Sequence, residues 1–179
     1  MDCRTNRRRA FSLTELLVTL GLIAGLIALL MPALAKARKV SRSTVCKARL
    51  EQLGAAIQMY LNENKTHYPQ APALPVVNPN NYPTIPQCLG RDIGDVTEGF
   101  HCPADEFVFQ TEGISYFYYN ELGELPLGQT FFWKVFGNPS QVPVLWDTSN
   151  FHGTSADNNW LFVDGHVEDH FVAPAGAPE

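Results

Sequence analysis

Positive charge is scarce in this sequence once its first ten residues are passed. Net charge is −5 over 179 residues, yet the opening ten hold four arginines against one aspartate, so the remainder carries close to −8. Nucleic-acid binding draws on clustered Lys and Arg, and an acidic body is a poor match for phosphate. No nucleic acid is therefore expected as the main partner. Cysteine is sparse as well. Cys3, Cys46, Cys88 and Cys102 form no C-x-x-C pair, which removes zinc-ribbon and thioredoxin readings. There is no G-x-S-x-G, no phosphate-binding glycine loop and no dinucleotide fingerprint. The expectation is a protein that is not an enzyme.

Charge is missing from one long stretch in particular. In RRRAFSLTELLVTLGLIAGLIALLMPALAKARK, residues 7–39, the one ionisable side chain between positions 11 and 34 is Glu15. A charged group inside a membrane segment costs roughly 2.5–3.5 kcal/mol on insertion scales, so this acid asks for a partner. The nineteen uncharged residues 16–34 would rise roughly 28 Å as a helix, close to the ~30 Å of a hydrocarbon core. A basic end before such a segment is expected to stay in the cytoplasm, leaving the rest on the far side, where disulfides are permitted. One reading is a plain membrane anchor. Another is a cleaved export signal, with RRAF (8–11) as a partial twin-arginine match and ALA (33–35) as a small-residue cut site. The apolar run is longer than the usual 7–15 or so of such signals, and Glu15 stands where they are apolar.

A third reading uses every feature. AFSLTE at 10–15, preceded by RRR, resembles the class III signal of type IV prepilins and type II secretion pseudopilins. The resemblance implies a basic leader over 1–10, cut between Ala10 and Phe11 by a prepilin peptidase, and methylation of the new N-terminus, Phe11. It casts Glu15 as the assembly acid that meets the terminal ammonium of a neighbouring subunit, since opposite charges attract strongly in low dielectric while either alone is penalised. Family members usually carry Gly before the cut, where this chain has Ala10; Pro32 falls where many carry a helix-loosening proline. Two later segments point the same way. LFVDGHVE (161–168) and CPAD (102–105) resemble the tail of a pilin-like group marked by a His, a spacer and Asp-Gly; His152 precedes Asp164 by twelve positions, about two more than usual there. The implied partners are other pilin or pseudopilin subunits and the inner membrane, crossed once with the N-terminus inside and the head periplasmic or extracellular.

Beyond the apolar run the helical signal continues. Cys46, Leu50, Leu53, Ile57, Tyr60 and Leu61 recur at three- and four-residue spacing as a stripe for core packing. Gly54 weakens that interior by about 1 kcal/mol relative to Ala. One long helix is expected over 11–64, with 11–34 as its transmembrane and assembly part, and Pro32 loosening it. The remainder, 65–179, reads as a β-rich head, giving an α+β fold of one long helix on a small antiparallel sheet. Six prolines between 67 and 86 exclude regular helix or central strand there, so a covering loop is expected. Strands are expected at 114–120, 130–136, 142–148 and 160–171. In the last, Asp164-Gly165 suggests a two-residue turn that sets Phe162 opposite Val167 and puts His166, Glu168 and His170 on the other face. A disulfide between Cys88 and Cys102 would close a thirteen-residue loop and stabilise by about 3 kcal/mol; Cys46 reads as a buried thiol.

Metal ligation has weak support. HVEDH (166–170) is not H-E-x-x-H, and in a strand its two histidines would lie about 13 Å apart. His152, Asp164 and His166 could converge only from facing loops. WDTSNFHGTSADNNW offers oxygens for calcium from Asp147, Asn150, Asp157 and Asn158, against the plainer reading of an Asx-rich turn satisfying its own backbone. No metal and no cofactor is the expectation, with calcium the one alternative.

Overall fold

The structure is a computed structural model that describes residues 12–90, 98–152 and 158–171. The chain divides into two units, Met1–Arg38 and Lys39–Glu179, and the first helix contributes to both. That helix, α1, spans Leu13–Glu63 and runs through Pro32 without a break. It matches the expected 11–64 almost end to end. Its last turn closes with a backbone bond from Asn64 to the Tyr60 carbonyl at 2.9 Å, and Lys65 and Thr66 then take positive φ of 54° and 64°. Those left-handed residues turn the chain out of the helix.

The second unit is built on the C-terminal half of α1. Cys46, Leu50, Leu53, Gly54, Ala56, Ile57 and Leu61 are its buried positions, so the three-and-four spacing in the sequence is a core face. Against it stands a four-stranded antiparallel sheet in the order β1 (Tyr116–Tyr118), β2 (Pro143–Asp147), β3 (Trp160–Phe162) and β4 (Val167–Glu168). Period-two alternation sorts the sheet's side chains. Tyr118, Leu145 and Leu161 stand in register on the inner face, all fully buried. Phe117, Trp146 and Trp160 are in register on the outer face, their rings stacked at 4.7 and 5.1 Å. The chain is thus α+β, with one long N-terminal helix and one small antiparallel sheet.

The proline-rich segment covers the core as a loop, with Ala71 buried, and becomes regular only at α2 (Ile85–Leu89), where Pro86 sits in the first turn and costs no helical bond. Two expectations need correction. Residues 130–136 are not a strand but the helix α5 (Phe131–Phe136), after short helices α3 (Val108–Glu112) and α4 (Glu121–Glu124). Aromatic and β-branched content favoured a strand, yet Gly137 stops α5 at φ +64°, and Phe132 and Phe136 sit one turn apart against Phe171. The 160–168 hairpin also differs. Its loop is Val163-Asp164-Gly165: Phe162 N–H donates to His166 O at 3.0 Å, Gly165 N–H donates to Phe162 O at 2.9 Å, and Gly165 has φ +92°. A third loop residue moves the register by one, so Val167 pairs Leu161 and Glu168 pairs Trp160.

Candidate functional site

Two places in the chain concentrate residues that packing alone does not explain. The first is the start of α1. Every large apolar side chain from Leu13 to Leu34 is exposed, Leu29 at 77%. Apolar exposure on all sides of a helix is a surface that water does not tolerate over this length. By length and composition this is one helix able to cross a membrane. Glu15 lies in its first turn, and its Oε2 accepts the Ser12 backbone N–H at 3.0 Å. That is one arm of a capping box, with Ser12 at the helix start and Glu15 three residues on. The carboxylate is also well placed for the positive end of the helix dipole. The S-x-x-E pattern at 12–15 was visible in the sequence, and the local role it announces was missed. Ala10 and Phe11, the expected cleavage and methylation positions, lie outside the described residues.

The second place is a buried polar cluster in the head. Asp105 of the CPAD segment is buried and saturated: Oδ1 accepts from Phe107 and Val108 N–H at 2.9 and 2.8 Å, and Oδ2 from Phe109 N–H and Ser115 Oγ–H at 2.8 and 2.7 Å. Ser115 Oγ in turn accepts Cys102 N–H at 2.9 Å. The CPAD segment therefore works as a knot that starts α3 and pins β1. Cys102 is bonded to Cys46, not to Cys88, which is a free, half-buried thiol. The expected Cys88–Cys102 bridge is thereby overturned. Cys46 sits on the buried stripe of α1 and so points at the segment that brings Cys102 into the core, while Cys88 sits apart in α2, its Sγ directed at the Pro83 carbonyl.

His152 packs on this disulfide. Its Nε2 is 3.6 Å from Cys102 Sγ and 3.3 Å from Asp147 Oδ2, and both His152 and Asp147 are almost wholly buried. Asp147 Oδ2 also accepts the Asn159 backbone and side-chain N–H groups at 2.7 and 2.9 Å. The same Nε2 thus faces both the carboxylate and the disulfide, whereas a hydrolase triad engages its acid and its nucleophile through opposite ring nitrogens. His152 is not joined by Asp164 and His166, which pair with each other at the exposed hairpin tip. His170 pairs with Asp169, and Asp169 reaches Lys47 of α1 at 3.0 Å, so HVEDH is divided between two surface contacts.

Of the calcium candidates, Asp147 Oδ1 and Asn158 Oδ1 are buried with no hydrogen-bond partner among the described residues. Asp147 turns inward to Asn159 and an imidazole nitrogen, Asn150 is exposed, and Asp157 lies outside the described residues. Among the described residues, the one grouping of three or more His, Cys, Asp or Glu side chains that converges within ion-binding reach is Cys46, Cys102 and His152. No family model, curated protein or solved structure matches the chain.

Proposed function

We propose that the chain is the precursor of a structural subunit of a type IV pilus-like or type II secretion pseudopilus filament. In this reading prepilin peptidase cuts between Ala10 and Phe11, Phe11 is N-methylated, and subunits associate through residues 11–34 after insertion in the inner membrane. The N-terminus stays cytoplasmic and the head faces the periplasm or exterior. The observation that carries the reading is the exposed apolar half of α1 with Glu15 as its single ionisable group. A bare anchor accounts for the apolar surface but gains nothing from an acid that lipid penalises. Bonding to Ser12 N–H engages one carboxylate oxygen and leaves the charge unneutralised. A neighbouring subunit's terminal ammonium would neutralise it, which makes correct stagger the favoured arrangement and any slip costly.

The local cap sharpens the test. Gln at the third helical position can still reach back to the Ser12 N–H, so Glu15→Gln keeps the cap and removes the charge, whereas Glu15→Ala removes both. Filament recovery from cells carrying each variant, with mature N-terminal sequencing, separates the roles. The expected result is cleavage before Phe11 in both variants and loss of assembly in both. Normal filaments from Glu15→Gln would sink the docking role. A mature chain that keeps Met1 points to a plain anchor, and one that starts at Lys36 to an export signal for a binding or hydrolytic protein.

A further inference from the structure

The Cys46–Cys102–His152–Asp147 cluster does more than a disulfide requires. Its members come from four separate segments: α1, the CPAD segment, the end of β2 and the loop that follows. All four are at most 2% exposed. The ligand atoms of Cys46, Cys102 and His152 lie within 4.8 Å of one another, and Asp147 Oδ2 is 3.3 Å from the same imidazole nitrogen. Two atoms of the group, His152 Nδ1 and Asp147 Oδ1, are buried with no hydrogen-bond partner among the described residues. A buried polar atom without a partner costs roughly 1–3 kcal/mol, and an ion held by Asp147 Oδ1 would satisfy that oxygen, whereas the ring nitrogen that faces the Cys102 sulfur is His152 Nε2.

We propose that the reduced chain binds one thiophilic divalent cation of the zinc class through the Cys46 and Cys102 thiolates, His152 Nε2 and the Asp147 carboxylate. Two sulfurs, one imidazole and one carboxylate are a tetrahedral donor set for zinc, with bonds near 2.3 Å to sulfur and about 2.0–2.2 Å to nitrogen and oxygen. The Cα atoms of the two cysteines stand 5.1 Å apart, which brings both side chains to one place in the core. Soft thiolates also exclude calcium and magnesium from this site. The joint between α1 and the sheet then has two mutually exclusive closures, a covalent one and a metal one.

The chemistry balances with an external thiol. Two equivalents of a monothiol, or one of a dithiol, break the Cys46–Cys102 bond, are themselves oxidised to a disulfide, and pass two electrons to the cysteine sulfurs. Metal entry next releases both thiol protons to solvent, so affinity rises with pH. Nothing in this step depends on cleavage before Phe11 or on filament assembly.

The test uses the full-length chain in detergent, with Cys3→Ser and Cys88→Ser so that two thiols remain. After reduction with a dithiol and its anaerobic removal, cobalt(II) is titrated as a spectroscopic probe. The expected result is one equivalent bound, with intense tetrahedral d–d bands and sulfur-to-cobalt charge transfer, bleached by zinc and absent from the oxidised chain. His152→Ala should weaken binding at least tenfold and alter the d–d envelope. A folded, reduced chain that gives no tetrahedral spectrum overturns the proposal, as does a His152→Ala spectrum and affinity identical to the parent. Should reduction unfold the chain, near-UV circular dichroism decides: recovery on adding zinc supports the site, and no recovery overturns it.

Discussion

Gly123 of α4 lies against the Pro69 carbonyl so closely that a β-carbon there would sit 2.8 Å from Gln70 Cα and collide with the Pro69 oxygen. Both obstacles are backbone. The same proline carbonyl accepts the Tyr118 hydroxyl at 2.8 Å, so it is fixed from the sheet side as well. Gly54 of α1 offers a contrast, since its added β-carbon would meet the end of the Leu161 side chain at 2.9 Å. A leucine methyl can move aside; a carbonyl held from two directions cannot. Gly123→Ala is therefore expected to cost about 2–3 kcal/mol. Gly54→Ala should cost less than about 1 kcal/mol, because alanine's helix propensity offsets the crowding. Urea unfolding of the two variants checks the order, and equal losses would contradict it.

Cys46 and Cys102 are 56 residues apart, and a cross-link of that span stabilises by about 4 kcal/mol in the chain-entropy model. Under oxidising conditions Cys102→Ser should lose roughly that amount, whereas Cys88→Ser should change stability by less than about 0.5 kcal/mol. Burial pushes the Cys88 thiol up, so its alkylation in the folded chain should be slow at neutral pH and quicken as pH rises. A non-reducing peptide map should recover the Cys46 and Cys102 peptides linked to each other. A Cys88–Cys102 link would refute the pairing.

Periodicity made α1 legible: the apolar stripe from Cys46 to Leu61 fixes both its extent and its buried face. Strands β1 and β2 were legible by composition, as short runs rich in aromatic and aliphatic residues. α5 was not, because Phe131–Phe136 is rich in strand formers and only the one-turn spacing of Phe132 and Phe136 betrays the helix. The hairpin register hung on one residue, Gly165, whose positive φ serves a two- or a three-residue loop equally. His152 could be picked out as part of a motif, but its place on the Cys46–Cys102 bond could not. That contact joins segments 50 and more residues apart, and no local pattern encodes it.

Buried tyrosines should make the head alkali-sensitive. Burial raises Tyr68 to about 12; burial and then the hydrogen bond to Glu121 raise Tyr119 to about 12; Tyr118 is held well above its ordinary 10.0, mainly by burial. Above pH 10 the unfolded chain gives up these protons while the folded chain keeps them. Their contribution is thus fully present below about pH 10; that of Tyr68 and Tyr119 is lost as pH rises through about 12. Phenolate absorbance should lag in the folded chain relative to the chain in denaturant. Tyr118→Phe should cost about 1–3 kcal/mol, since it strands the Pro69 carbonyl. Coincident titration curves, folded and unfolded, would contradict this packing.

Acid should release β4's end from α1. Asp169 is held down to about 2, first by the hydrogen bond from His170 and next by that from Lys47, whose Nζ lies 3.0 Å away. A depressed carboxyl stabilises above its ordinary value of 3.8, and that gain disappears as pH falls through about 2. Both side chains are substantially solvated, at 31% and 58% exposure, so the stability at stake stays below about 1 kcal/mol and shrinks with added salt. The sensitive readout is the carboxyl chemical shift of Asp169 itself. Lys47→Ala should move its titration midpoint up toward 3.8, though not fully there, because His170 still donates. An Asp169 that titrates at its ordinary value in the parent chain would mean that β4 is not tied to α1 through this pair.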